Sequence, residues 1–309
     1  MIISISRRTD IPAFFSEWFY NRIEDGYFMV RNPMNIHQVS KVTVTPQNAE
    51  CLVFWTKNPS FSFIENLPKL DEKGFNYYFQ FTITSYAQDI EKSVSRKTEI
   101  IEKFQKLSNQ IGKEKVIWRY DPIILNKKYN FDYHIKYFDY IAEKLSAYTE
   151  KVIISFVDCY SKIKTRLQEN EITELSQKEM RKLGIALKQI AEKHNLKIES
   201  CSETIDFDDI GIPHGHCIDG ELINRICQRN FIFKKDKTQR KECGCVTSVD
   251  IGSYNTCRHN CAYCYATWNG IIPNSIDNSS PLLGSVLSNE DKVTVRKIPV
   301  LKEYNPELF

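Results

Sequence analysis

Six short runs rich in β-branched and aromatic residues constrain this chain more than any other feature: "IISIS" (2–6), "LVFWT" (52–56), "YYFQFTIT" (77–84), "VIWRY" (116–120), "VIISFV" (152–157) and "LKIESC" (196–201). Each is apolar nearly throughout, as strands covered on both faces tend to be. Helical patterns lie between them. "PAFFSEWFYNRI" puts Phe14, Phe15, Trp18, Phe19 and Ile23 on one side, and "KEMRKLGIALKQIAEKH" repeats Met180, Leu183, Leu187 and Ile190 at helical spacing. Strand, helix, strand in repetition predicts βαβ units with right-handed crossovers. Six of them point to an α/β fold, a partial (β/α)6-like TIM-type parallel barrel rather than a sandwich. The segment "RNPMNIHQVSKVTVTPQ" reads as a small hairpin inserted before the second strand, and no internal repeat or low-complexity tract is present. After about Lys234 the alternation stops. The expected organisation is therefore a barrel over 1–235 and a cysteine-rich segment over 236–309 packed on it.

Composition narrows the partners. With 42% apolar and 26% charged residues in 309, the chain is long enough for a sizeable core and ordinary for a globular protein. A net charge of only +3 gives no support for a nucleic-acid partner. The basic run "KKDKTQRKE" reads as solvated surface, although it brings Arg240 close to the cysteine segment. No window offers the ~20 apolar residues needed to span a membrane. The opening "MIISISRRTDIPAFF" does not read as a signal peptide, since Arg7, Arg8 and Asp10 interrupt its apolar stretch. A cytoplasmic protein is expected, where clustered cysteines indicate metal or redox chemistry rather than disulfides.

Polar residues gather at the C-terminal ends of these strands. The first runs into Arg7, Arg8 and Asp10, the second into Lys57, and the fourth contains Arg119 and leads to Asp121; the fifth reaches Asp158, and the sixth leads through Cys201 to Glu203. C-terminal strand ends form the working mouth of parallel α/β barrels, so these residues are candidate catalytic groups. Asp or Asn after a strand also serves simply to cap the next helix. Arginine and lysine do not, which favours a functional reading of Arg7, Arg8, Lys57 and Arg119.

The stretch "CGCVTSVDIGSYNTCRHNCAYCYA" (243–266) holds five of the ten cysteines. Cys257, Cys261 and Cys264 have C-x3-C-x2-C spacing. Three thiolates in one tight loop hold three irons of a 4Fe–4S cluster and leave the fourth open to a small chelating molecule. Closed zinc sites want four ligands, usually as two separated pairs, and Cys243 or Cys245 keeps that alternative in play. Cys201, Cys217, Cys243 and Cys245 are four further candidate ligands for a second cluster or a zinc ion, with His214 or His216 as substitutes. Cys51 and Cys159 read as packing residues, and Cys227 as the buried face of a helix.

"CRHNCAYCYA" resembles the signature of the radical S-adenosylmethionine superfamily, with the "YCYA" ending of the relatives of spore photoproduct lyase. Together with "ISRRTDIPAF", "VFWTKNP", "VIWRYDPI", "SFVDCY" and "CGCVTSVDIGSYNTC", the chain is similar over nearly its whole length to the bacterial family called domain of unknown function 1848. The superfamily resemblance implies a 4Fe–4S cluster on Cys257, Cys261 and Cys264, bound S-adenosylmethionine, and a reductant such as flavodoxin or ferredoxin. It further implies an enzyme that generates a 5′-deoxyadenosyl radical to act on a small-molecule or peptide substrate. Tyr263, Arg7, Arg8 and Arg119 are then the candidate cofactor-binding residues. The rivals are an iron–sulfur sensor or electron carrier, and a metal-dependent barrel hydrolase with a structural zinc site. Because the motif comes after the last strand instead of the first, the late segment is expected to fold back over the strand ends. That places the Cys257–Cys264 loop against Arg7–Asp10, where Arg7 or Arg8 pairs with a carboxylate of the cofactor. The alternative has both arginines at the surface, paired with Asp10 or Glu17.

Overall fold

Every second residue along the strands belongs to the same face, and the two faces pack against different parts of the chain. The structure, a computed structural model, describes residues 1–268, 276–297 and 301–304. Seven strands form one parallel sheet: β1 (Ile2–Ile5), β4 (Cys51–Thr56), β5 (Tyr77–Thr82), β6 (Val116–Ile123), β7 (Lys151–Phe156), β8 (Lys197–Ser200) and β10 (Val249–Asp250). Their order is β10-β1-β4-β5-β6-β7-β8. All six expected strands are present. The seventh, β10, comes from the cysteine-rich segment and pairs with β1 through Ile3–Val249 and Ser4–Asp250. The sheet does not close: β8 lies at one edge and β10 at the other.

On one face Ile3, Ile5, Leu52, Phe54, Phe79, Phe81, Trp118, Tyr120, Val152 and Ile154 join the main core. Helices α1 (Ile11–Phe14), α2 (Ser16–Asp25), α3 (Phe61–Glu65), α4 (Pro68–Lys73), α5 (Lys97–Ile111), α6 (Phe131–Leu145), α7 (Lys164–Glu169) and α8 (Gln177–Lys193) occupy the connections between these strands. α8 opens with a capping box, Ser176 and Glu179 satisfying each other's backbone, and buries Leu183 and Leu187 as its spacing predicts. The first helical pattern is two helices, broken at Phe15, whose φ of −134° leaves the helical region.

The opposite face carries a second core, formed by Ile2, Cys51, Val53, Tyr78, Ile117 and Ile153 against Cys217, Ile218, Leu222, Ile223, Cys243, Cys245 and Val246. Helix α9 (Gly220–Cys227) supplies Leu222 and Ile223. The segment between β8 and β10 thus covers the face that the strand sequences required to be covered.

The inserted hairpin is present as β2 (Tyr27–Asn32) and antiparallel β3 (Asn35–Thr43), and β11 (Lys292–Val295) adds in parallel to β3. The remaining short strands, β9 (Phe231–Ile232) and β12 (Lys302–Glu303), pair antiparallel. Of the segment 236–309, residues 269–275, 298–300 and 305–309 lie outside the described residues. No helix among the described residues is long and apolar enough to cross a membrane.

A cysteine-lined candidate site at the strand ends

Toward the strand C-termini the second face changes character. The apolar residues give way in register to Ser4 and Ser6 after Ile2, Trp55 and Lys57 after Val53, Gln80 and Thr82 after Tyr78, Arg119 and Asp121 after Ile117, and Ser155 after Ile153. At these strand ends lies a cavity of about 360 Å³. Its lining includes Arg7, Arg8, Asp10, Lys57, Arg119, Asp121, Asp158 and Glu203, together with Tyr263 and seven cysteines: Cys201, Cys217, Cys243, Cys245, Cys257, Cys261 and Cys264. The Cys257–Cys264 loop lies over the strand ends and touches the Arg7–Asp10 turn through His259 and Asp10.

The wall built by that loop is pinned by charge. Asp10 caps α1 through Ala13 N (3.0 Å), and its other oxygen takes Lys57 N at 2.7 Å and His259 Nε2 at 2.8 Å. Both oxygens are thus committed, and Asp10 fastens three segments instead of standing free as an acid. Ser93 N donates to His259 O at 3.0 Å and Ala262 N to Ile90 O at 2.8 Å, so the 90–93 turn cradles the loop. Between them sits Glu91, only 1% exposed. It accepts from Thr84 Oγ1 (2.7 Å), pairs with Lys57 Nζ (2.8 Å) and with Lys97, and takes the Tyr263 hydroxyl. Burial opposes its charge, but the two lysines outweigh burial and hold the carboxyl well below the usual range. Tyr263 is thereby a fastener of the loop. Cys261 is buried while Cys257 and Cys264 are half-buried against the cavity, and burial, with Cys264 nearby, pushes the Cys257 thiol up to about 12.

The facing wall is pinned by sulfur and guanidinium. Cys201 directly follows β8, and its Sγ lies 3.1 Å from Cys217 Sγ. Arg119 Nη1 donates to Cys217 Sγ at 2.7 Å, and Ile218 N to Cys245 Sγ at 3.3 Å. Tyr78 Oη and Gln80 Nε2 both donate to Cys217 O, at 2.7 and 2.8 Å. Arg119 also pairs with Asp121, whose other oxygen takes the Ser155 hydroxyl. Burial disfavours the Asp121 charge, but Arg119, the Ser155 hydroxyl and Lys57 together more than compensate, lowering its pKa. The guanidiniums of Arg7 and Arg119 lie 5.4 and 5.2 Å from the Trp55 ring. Among the described residues, no group of three or more His, Cys, Asp or Glu side chains is arranged, as it stands, so that it could hold a metal ion.

Arg7 and Arg8 pair with neither Asp10 nor Glu17. They turn to the β10 segment: Arg7 N donates to Asp250 Oδ2 (2.9 Å) and Nη2 to Ser248 Oγ (3.3 Å), while Arg8 Nη1 donates to Gly252 O (3.3 Å). At the rim, Arg240 holds Asp158 through 3.1 and 2.7 Å contacts, so Asp158 is an exposed member of an ion pair. Glu203 is nearly buried; its Oε1 accepts Phe156 N at 2.8 Å, and burial raises its pKa to about 8. Cys51 is buried as expected, but Cys159 is exposed, since the chain has left the sheet by that point. Cys227 is half-buried and donates to Glu50 O at 3.2 Å. His214 and His216 lie outside the cavity lining.

Sequence reasoning missed Trp55, Gln80, Ser155, His259, Asp250 and Glu91. Strand parity would have found the first three, since they share the face of Lys57 and Arg119. His259 stands inside the cysteine motif, where its sequence neighbours show its place but not its tie to Asp10. Nothing local marks Glu91 or Asp250.

Fold and site define an α/β protein whose parallel sheet carries a polar, cysteine-lined cavity at its strand ends. The chain belongs to the family described as Domain of unknown function (DUF1848), which matches residues 2–266. That span contains every residue of the cavity lining and ends at Ala266, before β11. No curated protein and no solved structure matches the chain.

Proposed function

We propose that this chain is a radical S-adenosylmethionine enzyme, its sheet acting as an open, barrel-like frame with the cavity at its mouth. The observation that carries the reading is the placement of Cys257, Cys261 and Cys264, on one short loop, at the edge of a cavity at the C-terminal ends of parallel strands. The donor set fits a 4Fe–4S cluster with one open iron, because three thiols come from a single loop with no fourth in it. The cavity also fits a bound polar molecule. Arg7 Nε, Thr9 Oγ1, Thr56 Oγ1 and His259 Nδ1 are buried there with no hydrogen-bond partner among the described residues. Each such orphan costs roughly 1–3 kcal/mol, which a ligand's polar groups would recover. When bound, a reduced cluster would supply the one electron needed to cleave the sulfonium of S-adenosylmethionine.

The chain's own residues position and enclose. Asp10, His259 and Glu91 fix the cysteine loop against the strand ends. Arg7, its backbone N–H held by Asp250 and its guanidinium by Ser248 and the Trp55 ring, presents a guanidinium edge suited to a carboxylate. Arg119 is committed to Asp121 and Cys217 and acts as a positioning residue. Tyr160 and Tyr265, with ring centroids 5.5 Å apart, narrow the rim beside Arg240 and shield the interior from water.

Anaerobic reconstitution followed by dithionite and S-adenosylmethionine tests the proposal. Wild-type protein should form 5′-deoxyadenosine, detected by mass spectrometry. The variant Cys257→Ala/Cys261→Ala/Cys264→Ala should lose the broad visible absorbance and the product. Full iron retention in that variant, or an iron-loaded wild type that never consumes S-adenosylmethionine, overturns it.

A further inference from the structure

The facing wall gathers four thiols from three separate parts of the chain. Cys201 follows edge strand β8, Cys217 lies in the crossing segment, and Cys243 and Cys245 flank Gly244 just before the opposite edge strand β10. Cys217 is the hub of the group: its Sγ lies 3.1 Å from Cys201 Sγ and takes Arg119 Nη1 at 2.7 Å, while Cys245 Sγ takes Ile218 N at 3.3 Å and Cys243 lines the same cavity. A Cβ at Gly244 would stand 2.2 Å from the His216 ring, so that exposed ring would have to swing aside for any larger residue here. Val246 N donates to Ile218 O at 3.0 Å, locking the segments that carry Cys217 and Cys245 side by side.

Sulfur spacing discriminates between metal groups. Four thiolates around one zinc at ~2.3 Å sit ~3.8 Å apart, because they share the vertices of one tetrahedron. In a 4Fe–4S cluster each thiolate binds a different iron, and the sulfurs stand roughly 6 Å apart. The Cys201–Cys217 separation of 3.1 Å is far nearer the first spacing than the second. The surroundings also suit a bound thiolate: a backbone N–H and a buried guanidinium already donate to two of the sulfurs, as outer partners do at metal–thiolate centres.

We propose that Cys201, Cys217, Cys243 and Cys245 form a mononuclear tetrathiolate zinc site that clasps the two open edges of the sheet across the cavity. Four thiols bind one Zn²⁺ and release four protons, leaving a centre of charge −2. Arg119, in contact with Cys217, and Arg7, on the same Trp55 ring, face that charge. The clasp joins the end of β8 to the approach to β10, which no backbone hydrogen bonds connect. This inference rests on the four-thiol geometry and not on the radical chemistry of the neighbouring loop.

The test uses the full chain carrying Cys257→Ala, Cys261→Ala and Cys264→Ala, purified anaerobically, so that failure of the cluster assignment cannot mask the result. Elemental analysis should find about one zinc per chain and no acid-labile sulfide. Mercurial titration of four thiols should release that zinc, and cobalt exchanged into the site should show intense tetrahedral bands with sulfur-to-cobalt charge transfer. Adding Cys243→Ser and Cys245→Ser should abolish both signals; if that variant does not fold, the mercurial and cobalt measurements on the foldable parent decide. Iron in place of zinc, with or without sulfide, or a metal-free protein with all four thiols freely reactive, overturns the proposal.

Discussion

The two walls of the cavity hold their cysteines by different physics. On the Cys257 side, a buried carboxylate with two lysines, a threonine and a tyrosine around it fixes a loop whose three cysteines are neighbours in sequence. On the Cys217 side, residues from β5, β6 and the segment between β8 and β10 converge, and the contacts are sulfur to sulfur, guanidinium to sulfur and amide to sulfur. The first wall is a local motif locked by a remote ion cluster. The second is assembled entirely by the fold, so its integrity depends on the sheet's two edges staying in place.

Glu91→Gln gives the largest expected effect on that contrast. It leaves the half-buried Lys57 and Lys97 without their buried counter-charge and should cost about 3 kcal/mol, the lower end for a broken buried pair, read as a lower urea midpoint. Hydrogen exchange should rise at the amides of 261–264 and stay unchanged at 243–246. Equal loosening of both walls would show that they are one unit.

The first wall also rests on a neutral histidine. Tyr86 packs against both Tyr263 and His134, each with centroids 6.0 Å apart. His134 Nε2 donates to Ile124 O at 2.7 Å, and its Nδ1 accepts from Tyr120 Oη at 2.8 Å, a tautomer fixed by the carbonyl. Burial lowers its pKa from 6.5 to about 4. The unfolded chain therefore binds the extra proton in that window, so this contribution to stability is full above about pH 6.5 and lost as pH falls toward 4. The loss should approach about 3 kcal/mol at the acid end. Comparing denaturation midpoints of wild type and His134→Gln across pH checks it: the variant should show the shallower slope, and parallel curves would contradict the reading.

Asp250 links the walls. Its carboxylate accepts from Ser4 Oγ (2.9 Å), Ser6 Oγ (2.6 Å), Arg7 N (2.9 Å) and Gly252 N (3.0 Å). Asp250→Asn turns one acceptor into a donor facing donors and should cost roughly 1–3 kcal/mol. Gly252→Ala attacks the same joint sterically, since the added Cβ would lie 2.0 Å from Ser6 Oγ. Thermal melts of both variants should shift together, and a silent Gly252→Ala would mean that the joint yields.

Arg240→Ala should move stability least, by under about 1 kcal/mol, because its pair with Asp158 is exposed. Calorimetric titration with S-adenosylmethionine then asks whether the rim contributes to binding, and a large loss of stability would show that the pair belongs to the frame.

The strands, the inserted hairpin and the three-cysteine loop were legible in the sequence because each depends on neighbours within one turn or one run of residues. So was the polar ring of strand ends, since in a parallel sheet every strand finishes on the same side. Glu91 gave no sign, because burial of a carboxylate depends on lysines and a tyrosine brought from other segments. Only the tertiary structure decided that β10 crosses to the far edge beside β1, that Asp10 and Tyr263 are fasteners, and that Cys201, Cys217, Cys243 and Cys245 meet. Local spacing records contacts between residues close in sequence; contacts closed by a long loop depend on which edge the returning chain packs against, and that is settled by burying the second face of the sheet.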